Sequence, residues 1–188
     1  MDLEKLFSAA VGEMKNEQYE EAAKHFDMIV VESGEHAEAQ FYRAYCKCHV
    51  GRLGDIPSQA QIFTNAFCKY VDQLAELDDV ELKEKKLADA IEKMSELTSY
   101  YSSNGSRTLI TAPTIGFSIN NAAKKMSATC TEKVKASGIK VNSATIEKAS
   151  KASSENNKMR KILIGVIAVG ALAWIIYEVV TWIQIGSL

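Results

Sequence analysis

Apolar residues recur along most of this chain at intervals of three and four, the period of a helix with one buried face. Leu3, Leu6, Phe7, Ala10 and Met14 set the first such stripe, over Leu3–Lys15. A short polar connection leads to a second, with Tyr19, Ala22, Ala23, Phe26, Ile29 and Val30 on one face; Ser33 and Gly34 stop it. Phe41, Ala44, Tyr45 and Cys48 predict a third helix over Ala37–Val50, closed by Gly51. Pro57 suits the first turn of a fourth, running to about Leu77. Asp78 and Glu81 read as a capping box for a fifth, with the stripe Leu87, Ile91, Met94, Leu97 and Tyr101. The run SSNGSR at 102–107 reads as a loop. Beyond it, Ile115, Ile119, Ala122, Met126, Cys130 and Val134 predict a sixth helix ended by Gly138, free to dock on the earlier helices, lie on a membrane or bind a partner; docking is the preferred expectation.

The pattern changes at 162–185, ILIGVIAVGALAWIIYEVVTWIQI, where Glu178 is the single formal charge. A bilayer core takes about 20 apolar residues as helix, so this stretch is expected to be a single-pass transmembrane anchor. Lys158, Arg160 and Lys161 crowd its start and no Lys or Arg follows. Basic flanks stay on the cytoplasmic side, which places residues 1–161 in the cytosol. Trp174, Tyr177 and Trp182 occupy the distal half, where amphipathic rings favour a headgroup interface. Glu178 falls about 24 Å along the helix, near the far interface, where its carboxylate can snorkel; an intramembrane partner contact is the other reading. The first residues lack a basic region followed by an apolar core, so no cleaved secretory signal is expected and the chain reads as tail-anchored. A bacterial inner membrane suits the basic flank best.

Only two prolines and an abundance of Ala, Glu, Lys and Leu point to an all-α fold. The expected organisation is a helical domain over 1–101, a basic Ser/Lys/Ala-rich stalk over 102–161 carrying one or two helices, and the anchor over 162–185. Charge supports that division. Residues 1–100 hold 20 acidic and 11 basic side chains, a balance of −9, while 101–161 hold 3 and 11, a balance of +8. The stalk is either a solvated linker or a segment drawn to an anionic leaflet.

Two helical hairpins of similar size invite a search for a repeat. A shift of 34 residues pairs Glu4 with Glu38, Phe7 with Phe41, Ala10 with Ala44 and Tyr19 with Leu53. NEQYEEAAKHF at 16–26 resembles the junction of the two helices of a tetratricopeptide repeat, and AEAQFYRAYCKCHVGRL at 37–53 resembles the opening helix of the next repeat. The family's small residues match Ala10, Ala44 and Ala22, its aromatic matches Phe26, and its interhelical glycine matches Gly51. Glu17 stands at the glycine position of the first unit, Ile56 and Ala60 reverse the small and aromatic positions of the second, and the helix-ending proline is missing from both. The resemblance spans about residues 3–77 and implies a tetratricopeptide-like hairpin array; a generic four-helix array is the alternative. Two repeats rarely bury their faces alone, so the fifth helix is expected to cap the array.

Cys46-Lys47-Cys48-His49 is the one cluster suggesting a metal or redox site. On a helix Cys46 and Cys48 stand about 200° apart, which suits small buried thiols better than a shared metal. No phosphate-loop, dinucleotide, nucleophile-elbow or zinc-hydrolase motif occurs, so no catalytic residue, cofactor or metal is expected. The acidic domain and a stalk without interleaved aromatics argue against nucleic acid.

These readings lead to a non-enzymatic, membrane-tethered adaptor that holds a protein or peptide partner at the cytoplasmic face. The resemblance implies that the inner groove, lined by first helices, does the binding; the matching positions are Glu13, Tyr42, Arg43 and Lys47. The alternative is a membrane-active protein that oligomerises or perturbs lipid through its C-terminal helix, motivated by Glu178, the basic stalk and the small residues Gly165, Ala168 and Ala171.

Overall fold

The computed structural model describes residues 2–34 and 36–141; the expected anchor at 162–185, with Lys158, Arg160, Lys161, Trp174, Tyr177, Glu178 and Trp182, lies outside the described residues. The described part is all-α: α1 (Leu3–Lys15), α2 (Tyr19–Ser33), α3 (Ala37–Val50), a 3₁₀ turn (Leu53–Asp55), α4 (Ile56–Ala75), α5 (Val80–Thr111) and α6 (Pro113–Ala136). Among these residues no helix is long and apolar enough to cross a membrane.

Local chemistry sets the ends. Asp2 caps α1 by accepting from the Lys5 amide at 3.2 Å. After α1 the chain turns through Glu17, whose φ of 61° is the left-handed conformation that glycine adopts without strain. Gly51, at the matching position of the second hairpin, has extended backbone instead. Its lack of a side chain serves close approach, because a Cβ there would run into the Gln59 side chain. Gly34 ends α2 with φ 62°. His36 caps α3, its ring Nδ1 accepting from the Ala39 amide at 3.2 Å.

Two expectations need correction. The cap of α5 is Asp79, not Asp78: its carboxylate accepts from the Leu82 amide at 2.9 Å. Asp79→Ala should therefore cost about 1 kcal/mol in a urea melt and Asp78→Ala close to nothing. The second correction is larger. SSNGSR is not a loop, and α5 runs unbroken through it and across the boundary expected between domain and stalk at 101/102. Its polar side chains are satisfied inside the helix: Asn104 Nδ2 donates to the Tyr100 carbonyl at 3.1 Å and Ser106 Oγ to the Ser102 carbonyl at 2.8 Å. Gly105 is buried where α6 crosses.

Packing follows from the buried faces. Helices α1 to α4 form two successive hairpins, and α1 and α3 begin 34 residues apart. Ala10, Ala22 and Ala44 are buried where helices meet, beside a core of Phe26, Phe41, Phe63, Phe67 and Tyr70. Helix α6 folds back on α5 after the single residue Ala112 and buries Ile119, Met126, Cys130 and Val134 against α4 and α5. All six helices belong to one compact unit.

Candidate functional site

Helix α5 faces the surface of α3 with a stripe of polar side chains. Positions 86, 89, 93, 96 and 100 recur every three or four residues, the spacing that keeps them on one face. They meet α3 at 38, 42, 45 and 49. Lys86 pairs with Glu38, Tyr42 donates its hydroxyl to Asp89 at 2.7 Å, and Tyr45 donates to Glu96 at 2.7 Å. Lys93 bonds Glu96 at 3.0 Å and sits 5.5 Å from the centre of the Tyr45 ring. Burial would raise the Glu96 carboxyl, but the hydrogen bonds from Tyr45 and Lys93 outweigh it and hold the group below the usual carboxylate range. Burial, with the facing carboxylates, pushes both tyrosine hydroxyls well above their ordinary range, so both stay protonated and donate to those carboxylates.

This seam accounts for the residues expected to bind a partner. Tyr42 is 9% exposed and its hydroxyl is already taken. Glu13 holds His25 Nδ1 at 2.7 Å across α1 and α2. Arg43 and Lys47 both pair with Asp27 of α2, Lys47 at 2.9 Å. The four residues are spread over different contacts: Arg43 and Lys47 make ion pairs to α2, Glu13 is hydrogen-bonded to His25 of α2, and Tyr42 ties α3 to α5.

The Cys-Lys-Cys-His segment resolves in the same way. Cys46 and Cys48 are buried free thiols, each pushed up to about 12 by burial. Cys48 Sγ lies 3.7 Å from the Gln59 carbonyl. No group of three potential metal ligands gathers among the described residues.

His49 sits among three tyrosines, stacked on Tyr19 at 4.1 Å between ring centres, with Tyr45 at 4.8 Å and Tyr100 at 5.0 Å. Its Nε2 is buried without a hydrogen-bond partner. Burial lowers its pKa to about 4, against the opposing pull of Glu96. Unfolded, the ring titrates near 6.5. Between those values the unfolded chain binds a proton that the folded chain refuses. Stability from this group is therefore whole above pH 6.5 and is lost as the pH falls toward 4. After allowing for solvent screening at a half-buried site the loss should be about 2 kcal/mol. Urea melts at pH 7 and pH 4.5, compared between the native chain and His49→Gln, isolate it, because the carboxylates and other histidines cancel in the difference.

One open surface is a cleft at the end of the bundle where α1, α3 and α5 begin and α4 finishes. A depression of about 310 Å³ lies against Leu3, Phe7 and Ile29, and one of about 270 Å³ against Tyr70, Gln73, Leu74 and Leu77. They share His36, Glu38 and Lys86. Glu38 forms the ridge between them, accepting from Tyr70 at 3.1 Å while it pairs with Lys86. The result is two depressions of mixed polar and apolar lining on either side of one acid–base pair. Sequence reasoning did not single out these residues. The repeat pairing of Glu4 with Glu38 was the one signal at hand, and both line the cleft. Comparison of the chain with known proteins finds no matching family model, no matching curated protein and no matching solved structure.

Proposed function

We propose that this chain is a membrane-tethered protein-interaction module: a small tetratricopeptide-like array, anchored by residues 162–185, that holds a protein or peptide partner in the cytosol, at the bacterial inner membrane. The observation that carries the reading is the 34-residue offset between the starts of α1 and α3. It is joined by burial of Ala10, Ala44, Ala22 and Phe26, the positions where that family needs close helix approach. The Glu38–Lys86 cleft, rather than the Tyr42 face, is the partner surface in this reading, because α5 occupies the Tyr42 face. Its chemistry is non-enzymatic: it positions a ligand and does not transform it.

Proximity labelling from the N-terminus in native cells tests the proposal. The native chain should mark a small reproducible set of neighbours, and Leu77→Glu with Gln73→Arg, on the cleft wall, should lose them while the helices persist by circular dichroism. Exchanging residues 162–185 for an unrelated anchor of equal length should leave the set unchanged. Neighbours that survive the cleft changes but vanish with the anchor swap would replace this reading with action through the C-terminal helix.

A further inference from the structure

The hairpin of α5 and α6 carries a second surface, unlike the rest of the molecule. From residue 108 to residue 123 the sequence, TLITAPTIGFSINNAA, has no charged side chain, in a chain where 24% of residues are charged. Within it the inner face is consumed by packing, with Leu109, Gly116, Ile119 and Ala123 buried. Apolar side chains nevertheless face outward at the tip. Ile110 is 71% exposed, Ile115 44% and Phe117 42%.

Cations flank this stretch, set back from the turn at Ala112 by about 8 Å along α5 and about 17 Å along α6. Arg107 stands just before it, and Lys124 and Lys125 just after, all three exposed. No Asp or Glu occurs between Glu96 and Glu132, so no acid lies on the end of the hairpin that holds them. An apolar tip with uncompensated cations set back from it has the composition of a surface that enters the headgroup layer, apolar groups reaching the acyl boundary and long cationic side chains meeting lipid phosphates. A second copy fits less well, because a symmetric contact would press like charges together. Nucleic acid would leave the exposed isoleucines without apolar cover.

We infer that the α5–α6 tip docks on an anionic membrane surface, with Ile110 and Ile115 at the acyl boundary and Arg107, Lys124 and Lys125 on the phosphates. The inference rests on the tethered reading for the presence of a bilayer, and it adds a second, reversible attachment that orients the helical unit. A tip of this kind supplies a few apolar side chains and about three charges, a weak contact alone that gains from a tether through effective concentration.

The test uses the full chain reconstituted into vesicles of phosphatidylcholine with about 30% phosphatidylglycerol, the anionic lipid carrying the expected attraction. A diazirine on the lipid acyl chain is photolysed and adducts are located by mass spectrometry. Adducts are expected on peptides from 108–123 and on 162–185. Ile110→Asp with Ile115→Asp should cut the tip adducts about fivefold or more and leave those on 162–185 unchanged. Lys124→Glu with Lys125→Glu should do the same, and omission of phosphatidylglycerol should mimic it. Both pairs alter exposed side chains, and circular dichroism checks that the helices persist. Labelling of 162–185 without labelling of the tip overturns this inference and spares the tether. Labelling of the tip alone supports the inference and removes the tether. Tip-to-tip cross-links between copies in place of lipid adducts assign the surface to a dimer and overturn it.

Discussion

Phe41→Ala should cost about 3–5 kcal/mol, a large fraction of the stability of a domain this size. Phe41 is 0% exposed. It stacks on Tyr70 at 5.1 Å and touches Phe63 at 5.6 Å and Phe67 at 6.0 Å, so three rings of α4 close around one ring of α3. Removing it takes away the transfer free energy of a ring and leaves a cavity whose walls are other rings, which collapse poorly. Phe7, its partner under the 34-residue shift, is only partly buried and meets Phe26 at 5.6 Å and Tyr42 at 6.1 Å. It belongs to the first helix, with packing on one side alone, and Phe7→Ala should cost about half as much. Urea melts of the full chain in mild detergent, followed by circular dichroism, measure both. Equal costs would mean that the two hairpins are not packed as successive units. A loss under 1 kcal/mol for Phe41→Ala would mean that its ring is not at the centre of the core.

The contrast between those two phenylalanines shows what was legible in the chain and what was not. Starts of α1, α2 and α3 were readable from their apolar stripes alone: the caps at Asp2 and His36 were not singled out, and α2 follows Gln18 with no side-chain cap. The loop assigned to SSNGSR failed for a physical reason. Ser, Asn and Gly signal turns because their side chains compete for backbone groups, yet the same hydroxyls and amides can bond carbonyls four residues back within a helix. Which outcome wins depends on whether another helix crosses there, and α6 does. The surroundings of the expected binding residues were hidden by a different gap. Tyr42 was placed on an inner groove by resemblance, but no local pattern says where a helix 40 or more residues later will lie, and α5 lies on it. The cleft draws Phe7, Glu38, Tyr70 and Lys86 from four separate helices, so no window of sequence contains it. Its ion pair joins residues 48 positions apart, on α3 and α5.

Gly116→Val should destabilise the unit by about 3 kcal/mol, and the glycine next in importance should behave differently. A Cβ built on Gly116 would stand 2.6 Å from the Leu109 amide nitrogen and 2.7 Å from the Gly105 carbonyl oxygen. Both atoms are backbone of α5, fixed by its own hydrogen bonds, so the helices must separate to admit a side chain. Separation would loosen the contacts of Ile119 and Ala123 along the same face. At Gly105 a Cβ would meet the Asn120 side chain at 2.7 Å instead, and a side chain can turn aside. Gly105→Ala should cost about 1 kcal/mol, part of the clash being offset by better helix propensity. Gly12, inside α1 with nothing within 4 Å of its virtual Cβ, supplies the control: Gly12→Ala should stabilise by about 0.5–1 kcal/mol. Melting the three variants together separates helix propensity from crossing distance. The order Gly12, Gly105, Gly116, from gain to loss, is the signature of a hairpin built on close backbone approach. If Gly116→Val melted like the native chain, α6 would not lie against α5 as described, and the charge-free tip would lose the support that presents it.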